Sequence, residues 1–482
     1  MPGFSEPTVA VAHSLAGRLI ERARVQPDSV ALVTDAGRVT YAELHALACA
    51  ARTRVEAVAP AGAPVAVRAA KTPGTIALIV ACLLARRPFL LPSPELGEQA
   101  LDALLERAGC RALLDGSTCR LTPGAHGTVP GDVRFMLTTS GSTGVPKIVP
   151  LTAGAVDRFT DWAAGRFGLR PGTVVLNYAP LNFDLCLLDV WATLKAGGTV
   201  VLADPERSTD GRYLAGLITA ERVQVVQSVP MFYRLVADAR GGEPLPGVQH
   251  VIVTGDRITA GLLGELPALF PAARLYNLYG CTETNDSFLH ELREPAGDGT
   301  AVPIGRPIAG VDALVAGDDG AVLDGPATGE LLVRTPFQTT GYLGPNHAFV
   351  RLDGGRPYFR SGDLVRRDEH GVFTLIGRND FQVKVRGTRV NLQEVEHLLL
   401  AHEAAAEAAV VGVPDDLSGV RIHAVVRRKG PLNTLALRDY CRTRLPRAAI
   451  PATFQVVDEP LPMTSTGKVD RQSIINTLRN RS

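Results

Sequence analysis

The sequence lacks the marks of several large protein classes. Its seven cysteines are scattered, with no C-x-x-C pair and no metal-like spacing, so neither a disulfide framework nor a zinc module is expected, and a reducing cytoplasm is the natural setting. Charge of either sign is not in excess. A formal net charge of +1 over 482 residues gives no electrostatic reason to expect nucleic acid or an anionic membrane as partner. No apolar run is long enough to span a bilayer: TIALIVACLLA (75–85) is the longest, ends at Arg86-Arg87, and predicts a buried helix. The opening MPGFSEPTVAVAHS has neither the basic start nor the apolar core of a signal peptide, and no internal repeat or low-complexity linker is present. What remains is an ordinary globular composition, 46% hydrophobic and 21% charged. Its length asks for about two to four domains. A soluble cytoplasmic enzyme is the expectation.

The order of patterns predicts an α/β fold. TVVLNYAP, GTVVLADP, VQVVQSVP and HVIVTGD are short β-branched runs closed by Pro, Gly or Asp. Helical stretches such as DRFTDWAAGRFG and RYLAGLITAER lie between such runs, which predicts parallel sheets covered by helices. In that arrangement ligands sit on the loops after strands. From about residue 300 the texture changes to GVDALVAGDDGAVLDGPATGELLVR, with closely spaced turn pairs, which predicts a small antiparallel or barrel-like β unit. After GRNDFQVKVRG (377–387) a compact α+β pattern follows, with NLQEVEHLLLAHEA as helix and AAVVGVP and IHAVVRR as strands. The expected organisation is a large N-terminal domain of helix-covered sheets plus a small β-barrel (1–379), and a small mobile α+β C-terminal domain (380–482).

The stretch MLTTSGSTGVPK (136–147) is dense in small hydroxyls and glycine and ends on lysine. Glycines let backbone N–H groups crowd an anion, and hydroxyls and a lysine add donors and charge, so a phosphate is the natural guest. The P-loop spacing G-x-x-x-x-G-K-[ST] is not met, because Gly141 and Gly144 are too close and Val145-Pro146 precedes Lys147. Alone, such a loop is an ordinary solvated turn. Three further stretches follow it in order: YNLYGCTETND (276–286), YFRSGDLVRRDEHGVFTLIGRNDFQVKVRG (358–387) and LPMTSTGKVDR (461–471).

Together these four resemble the signature motifs of the adenylate-forming superfamily, which includes amino-acid adenylation domains, acyl- and aryl-CoA ligases and luciferases. The resemblance covers nearly the whole chain. It implies a two-step reaction with ATP and Mg²⁺: a carboxylate is converted to an acyl-adenylate with loss of pyrophosphate, then a thiol takes the acyl group and AMP leaves. Thr139, Ser140, Gly141, Ser142, Thr143, Gly144 and Lys147 would cradle the phosphates. Gly255, Asp256, Asn277, Leu278, Tyr279 and Gly280 would surround the nucleotide, with Tyr279 against adenine. Thr282 would bond the α-phosphate and Glu283 would hold Mg²⁺, a cation that favours carboxylate and phosphate oxygens. The proline usual in this motif is Cys281 here. Asp363 would accept from the ribose hydroxyls, a task that suits a two-oxygen acceptor, with Arg378 in support. Lys468 would reach the substrate carboxylate and α-phosphate during adenylation. Ser465-Thr466 stands where a Pro-Asn pair is common. Asp380 resembles the hinge about which the C-terminal domain turns, bringing the strand Lys384–Gly387 to a thiol tunnel.

The acyl group is addressed by NFDLCLLDVW (182–191). Asp184 matches the aspartate that pairs with the substrate α-ammonium in amino-acid adenylation domains, whereas acyl and aryl ligases would leave a buried carboxylate unpaired there. Asp184 could also simply cap the helix that follows. By alignment to the motifs, Leu185, Leu188, Ser228, Ile252, Thr254, Leu278, Asp286 and Ser287 would line the pocket. The DLL start resembles free-standing prolyl ligases, but Asp286 and Ser287 replace residues there that are usually apolar or cysteine. A buried carboxylate needs a donor, either a polar group on a compact substrate or a group of the protein. The chain closes soon after Asp470 without a carrier-type phosphopantetheine site, so a free-standing enzyme that loads a separate phosphopantetheinyl carrier protein is expected. A small helper protein stays open. An acyl- or aryl-CoA ligase is the nearer alternative, and a catalytically silent nucleotide-binding protein the farther one.

Overall fold

The computed structural model describes residues 13–122, 129–139, 146–256, 258, 260–292, 301–344, 348–352, 355–385, 388–415, 419–445, 447–464 and 468–479. The chain packs as two compact units. The first holds residues 1–295, 307–312 and 333–359, and the second holds 296–306, 313–332 and 360–482. Among the described residues, no helix is long and apolar enough to cross a membrane.

The first unit contains two sheets. One is built from β3 (Val65–Val67), β4 (Phe89–Leu90), β5 (Ala112–Asp115), β6 (Thr118–Leu121), β7 (Val133–Thr139) and β8 (Lys147–Thr152), in the order β6-β5-β3-β4-β7-β8. The other is built from β1 (Val30–Thr34), β2 (Gly37–Thr40), β9 (Val174–Asn177), β10 (Thr199–Leu202), β11 (Val225–Ser228), β12 (His250–Val253), β13 (Arg274–Cys281), β14 (Asn285–Leu292) and the short edge strand β15 (Arg306–Pro307). Its order is β15-β14-β13-β12-β11-β9-β10-β1-β2. The four β-branched runs singled out in the sequence are β9, β10, β11 and β12. They pair in parallel, β10 with β9, β9 with β11 and β11 with β12. Their largely apolar character follows from burial on both faces.

The helices that cover these sheets are set by local signals. The run TIALIVACLLA lies in helix Pro73–Leu84, which starts on a Thr72 cap with Pro at its first turn, and residues 75–83 are all buried. Helix Ala153–Phe167 is capped by the Thr152 side chain and stops at Gly168 in the left-handed region (φ 63°), where glycine carries no Cβ penalty. Phe135 of β7 meets its sheet neighbour Phe89 of β4 at 4.6 Å and Trp191 at 5.7 Å, both edge-to-face. Trp191 is on the helical segment that follows Asp184. This packing anchors the predicted substrate segment to the strand that leads into the glycine-rich loop.

The second unit carries β16 (Asp312–Ala316), β17 (Val322–Leu323), β18 (Ala327–Arg334), β20 (Tyr358–Arg367) and β21 (Phe373–Arg378) in an antiparallel arrangement, ordered β17-β16-β18-β20 with β21 on β20. Tyr358 and Phe359, at the start of β20, fall in the first unit together with the two-residue strand β19 (Phe349–Val350) that pairs with them. Beyond β21 come the hairpin of β22 (Gln382–Val385) and β23 (Thr388–Asn391), helix Leu392–Leu400, and a three-stranded sheet of β24 (Ala405–Asp415), β25 (Gly419–Arg428) and β26 (Thr453–Val457). Leu392, Val395 and Leu399 of the helix and Val410, Ile422 and Val426 of the strands form its core. The fold is the expected α/β class: a large helix-covered N-terminal part and a smaller C-terminal α+β part.

Candidate active site

The glycine-rich loop closes a hairpin. Strands β7 and β8 are antiparallel and Thr139 stands opposite Lys147. Ser140, Gly141, Ser142, Thr143 and Gly144 lie outside the described residues. Lys147 is exposed, and its Nζ lies 5.0 Å from the centre of the Tyr342 ring. The Tyr342 hydroxyl donates to the Glu283 carboxylate. Lysine, ring and carboxylate thus form one chain from the β7–β8 hairpin to the predicted metal ligand. Tyr342 was not foreseen from the sequence.

Glu283 sits in the turn of the β13–β14 hairpin. Cys281 pairs with Asn285, and Asn285 takes a left-handed backbone (φ 54°), which asparagine tolerates. Gly280 is needed at this point, because a Cβ there would lie 2.4 Å from the Asn285 carbonyl oxygen. The turn is stitched to its surroundings: Thr335 Oγ1 donates to the Thr284 carbonyl (3.0 Å), Asn285 Nδ2 to the Phe337 carbonyl (3.1 Å), and Thr339 N to the Glu283 carbonyl (2.9 Å). Cys281 Sγ meets Thr284 Oγ1 at 3.2 Å, a small polar neighbour rather than a partner for chemistry. Thr282 is half-buried and Glu283 is buried, 8% exposed. Among the described residues no three His, Cys, Asp or Glu side chains gather into a metal cluster. A single buried carboxylate suits Mg²⁺ only where phosphate oxygens and water complete the shell, which a nucleotide would supply. Tyr279 is half-buried and meets Phe288 edge-to-face at 5.6 Å, while Asn277 and Leu278 are buried on the same strand. Gly255 and Asp256 are exposed just after β12.

The predicted pocket residues gather at the carboxyl ends of β9, β11, β12 and β13. Ser228 ends β11, Ile252 lies within β12 and Thr254 follows it, its N–H donating to the Ser228 carbonyl at 3.0 Å. Leu188, Ser228, Ile252, Thr254, Leu278 and Ser287 are buried, and Asp184, Leu185 and Asp286 are half-buried. Ser287 Oγ donates to the Asn285 carbonyl (2.9 Å) and Thr284 Oγ1 (3.2 Å). The Ser228 hydroxyl, by contrast, is fully buried with no hydrogen-bond partner among the described residues. Asp286 pairs with Gly280 across the hairpin, and its carboxyl is pushed well above the usual carboxylate range by burial and by the negative charge of nearby Asp184. No hydrogen bond to the Asp286 carboxyl occurs among the described residues. The helix after Asp184 begins with a π-turn, Leu187–Ala192, whose N-cap is Cys186 rather than Asp184.

The segment that carries Asp184 is braced by residues the sequence reading passed over. Asn177 Nδ2 donates to Asp189 (3.0 Å) and the Ala179 carbonyl (3.1 Å), and Lys71 Nζ donates to the Asn177 (2.9 Å) and Tyr178 (3.0 Å) carbonyls. Asp189 lay within the NFDLCLLDVW stretch, and its charge in an apolar run was the available signal. Lys71 and Tyr342 carried none.

The remaining motif residues belong to the second unit. Asp363, 6% exposed, stands opposite Arg378 across the β20–β21 ladder and accepts from its Nη1 at 2.9 Å. The Asp363 N–H donates to Ser361 Oγ (3.0 Å), which fixes the backbone that carries the carboxylate. Lys468 is exposed, on a turn where its carbonyl accepts from Thr464 N at 2.7 Å. Asp380 lies in the single turn Asn379–Phe381 after β21. Its side chain, that of Lys384, and Gly387 lie outside the described residues.

Residues 19–125 and 122–343 match the AMP-binding enzyme family, and residues 394–468 match the AMP-binding enzyme C-terminal domain. The chain is 32% identical over 508 residues to the phosphinothricin tripeptide synthetase PhsB of Streptomyces viridochromogenes, covering 96% of this chain and 42% of that protein. It is 34% identical over 351 residues to an L-proline--[L-prolyl-carrier protein] ligase of Pseudomonas fluorescens, covering 71% of this chain and 68% of the ligase. The chain thus spans less than half the length of the large synthases and synthetases it matches. In fold it is similar to a four-domain nonribosomal peptide synthetase solved with AMP and glycine, with TM-score 0.82 at 23% identity over 97% of this chain and 36% of the other. Matches in both parts of the chain, in the order in which the motifs occur, place it plainly: the chain belongs to the AMP-binding enzymes of the adenylate-forming superfamily.

Proposed function

We propose that this enzyme activates a compact α-amino acid with ATP and passes the aminoacyl group to the phosphopantetheine thiol of a carrier protein. In the first step the amino-acid carboxylate forms a bond to the α-phosphorus and the bond to the bridging oxygen breaks, releasing pyrophosphate. In the second the thiol sulfur bonds to the acyl carbon, AMP departs with the former carboxylate oxygen, and the thiol proton goes to solvent. The observation that carries the amino-acid reading is Asp184, held on a braced loop at the carboxyl end of the sheet, beside a second carboxyl, Asp286, that it perturbs electrostatically. An aliphatic or aryl acid would give neither carboxylate a counter-charge. The prolyl-carrier protein ligase among the relatives supports the same acyl class and acceptor.

In this reading Lys147 and the hydroxyl loop neutralise the departing pyrophosphate, Thr282 bonds the α-phosphate, and Tyr279 covers adenine. Glu283 would hold Mg²⁺, which supplies charge neutralisation on the triphosphate. Asp363, set by Arg378, accepts from the ribose. Lys468 bridges carboxylate and α-phosphate during adenylation, and the part from residue 380 onward turns about Asp380 between the half-reactions. Asp286, without an internal donor among the described residues, favours a substrate with a polar side chain or ring substituent over plain proline.

Pyrophosphate exchange tests the reading, run with all common amino acids, small polar analogues and matched acids that lack the α-amino group. Exchange restricted to α-amino acids supports it. Exchange with an aliphatic or aryl acid, or preference for coenzyme A over a carrier thiol, replaces it with the CoA-ligase reading.

A further inference from the structure

A charged network lies against the segment that delivers Asp184, and the proposed chemistry does not use it. The segment Tyr178–Cys186 leaves β9 and folds back on itself. Phe183 N donates to the Pro180 carbonyl (3.0 Å), Cys186 N to the Phe183 carbonyl (3.2 Å), and Leu187 N to the Asp184 carbonyl (2.8 Å). Cys186 Sγ closes the fold on the Pro180 carbonyl at 3.2 Å. Two side chains fix its base. Asn177, fully buried, reaches Ala179, Cys186 and Asp189 with one amide nitrogen. Lys71, more than a hundred residues earlier, places its ammonium on the consecutive carbonyls of Asn177 and Tyr178.

A lysine is a costly way to hold two carbonyls, since burying an ammonium is unfavourable unless charge and hydrogen bonds offset it. Here the carbonyls supply the bonds, and the groups facing Lys71 are Asp189, Asp204 and Cys186. Asp189 is itself fully buried, bonded through one oxygen to Asn177, while its Oδ1 has no partner among the described residues. A neutral donor could hold a loop. A cation faced by two aspartates also offsets part of their charge beneath the segment that carries Asp184.

We infer that Lys71 is a positioning residue for amino-acid recognition: by clamping the start of the Tyr178–Cys186 segment it holds Asp184 toward the substrate α-ammonium, and it takes no part in ATP binding. The inference rests on the amino-acid reading above. It has a pH signature. Burial pulls the Lys71 ammonium down to about 8 against the opposing pull of Cys186, Asp189 and Asp204, and burial raises Asp189 to about 7. As pH rises through about 8, the clamp loses its charge, and charge-assisted bonds become neutral ones of roughly half the strength.

The test is steady-state pyrophosphate exchange from pH 6.5 to 9.5, with KM measured separately for amino acid and for ATP. Lys71→Met keeps the stem and removes the charge. Its KM for the amino acid should rise about tenfold at pH 7 for the loss of a charged double donor, with KM for ATP within about twofold. The ratio of variant to wild-type KM for the amino acid should fall as pH passes about 8, since the substrate's own titration cancels in that ratio. Lys71→Arg, which does not titrate in this range, should restore part of the affinity and abolish the alkaline limb. Equal rises in both KM values, or a ratio that stays level with pH, would overturn the inference. If Lys71→Met does not fold, Asp189→Asn decides: it removes an attraction that raises the Lys71 pKa, so the wild-type limb should move to lower pH, and an unmoved limb refutes the assignment. Absence of exchange with every amino acid in the wild type would instead overturn the functional reading on which this rests.

Discussion

Tyr342→Phe removes the hydroxyl that meets Glu283. The ring stays, so the Lys147 ammonium keeps its aromatic neighbour at 5.0 Å, while the hydroxyl that donates to Glu283 is lost. Glu283 is 8% exposed, so water replaces that donor poorly. A hydrogen bond to a buried charged group is worth about 1.5–3 kcal/mol. At roughly 1.4 kcal/mol per factor of ten, kcat/KM for ATP should fall about 10- to 150-fold if the bond is kept in the transition state. Tyr342→Leu removes the ring as well and adds the loss of the cation–aromatic contact, about 0.5–1 kcal/mol at a partly exposed site, or a further twofold to fivefold. The assay is pyrophosphate exchange at saturating amino acid and varied ATP, with the Glu283→Gln and double variants completing a cycle. Tyr342→Phe should be far less harmful in the Glu283→Gln background. A Tyr342→Phe effect below threefold, or fully additive losses in the double variant, would refute the view that the hydroxyl orients the carboxylate.

Four other expectations follow from the same geometry. Lys468→Ala should lower adenylate formation by about 10²–10³ while transfer from pre-made aminoacyl-adenylate survives, and an equal loss in both half-reactions would refute the two-state role of this lysine. Asp380→Pro fixes φ and removes a backbone donor, so adenylation should persist and thioester formation fail, as measured by carrier loading; retention of both would move the turning point elsewhere. Asp286→Val should shift the exchange ranking toward an apolar analogue, and an unchanged ranking, or best activity with a large aromatic amino acid, would remove Asp286 from the specificity argument. Asp286→Asn should raise Tm of the substrate-free enzyme at pH 7: the raised pKa means that ionisation of Asp286 costs stability as pH climbs above its unfolded value of 3.8, so the gain should vanish below about pH 4 and a pH-independent gain would contradict it.

The parts legible in the sequence share one property: their signal is local. A β-branched run closed by proline, glycine or aspartate predicts a buried parallel strand, and β9 to β12 are such runs. The motif residues are legible for the same reason, since each group of them occupies a short stretch of chain. The residues that were missed act across the chain. Lys71 meets Asn177 at a separation of 106 residues, and Tyr342 meets Glu283 at 59. No window around either residue contains its partner, and each reads locally as a solvated lysine or an ordinary aromatic. The helix after Asp184 was visible as an apolar run, but its π-turn was not, and Asp189 within it is held by Asn177 and faced by Lys71, both outside that run. The same holds for the second unit. The composition changes near residue 300, yet the grouping of residues 313–332 with residues 360–482 rests on pairing in the β17-β16-β18-β20 sheet, which no run of adjacent residues encodes. In this fold the short-range code writes the motif stretches, and long-range packing writes the contacts that brace them. A functional reading drawn from motifs alone will therefore name the motif groups and overlook residues such as Lys71, whose partners lie far along the chain.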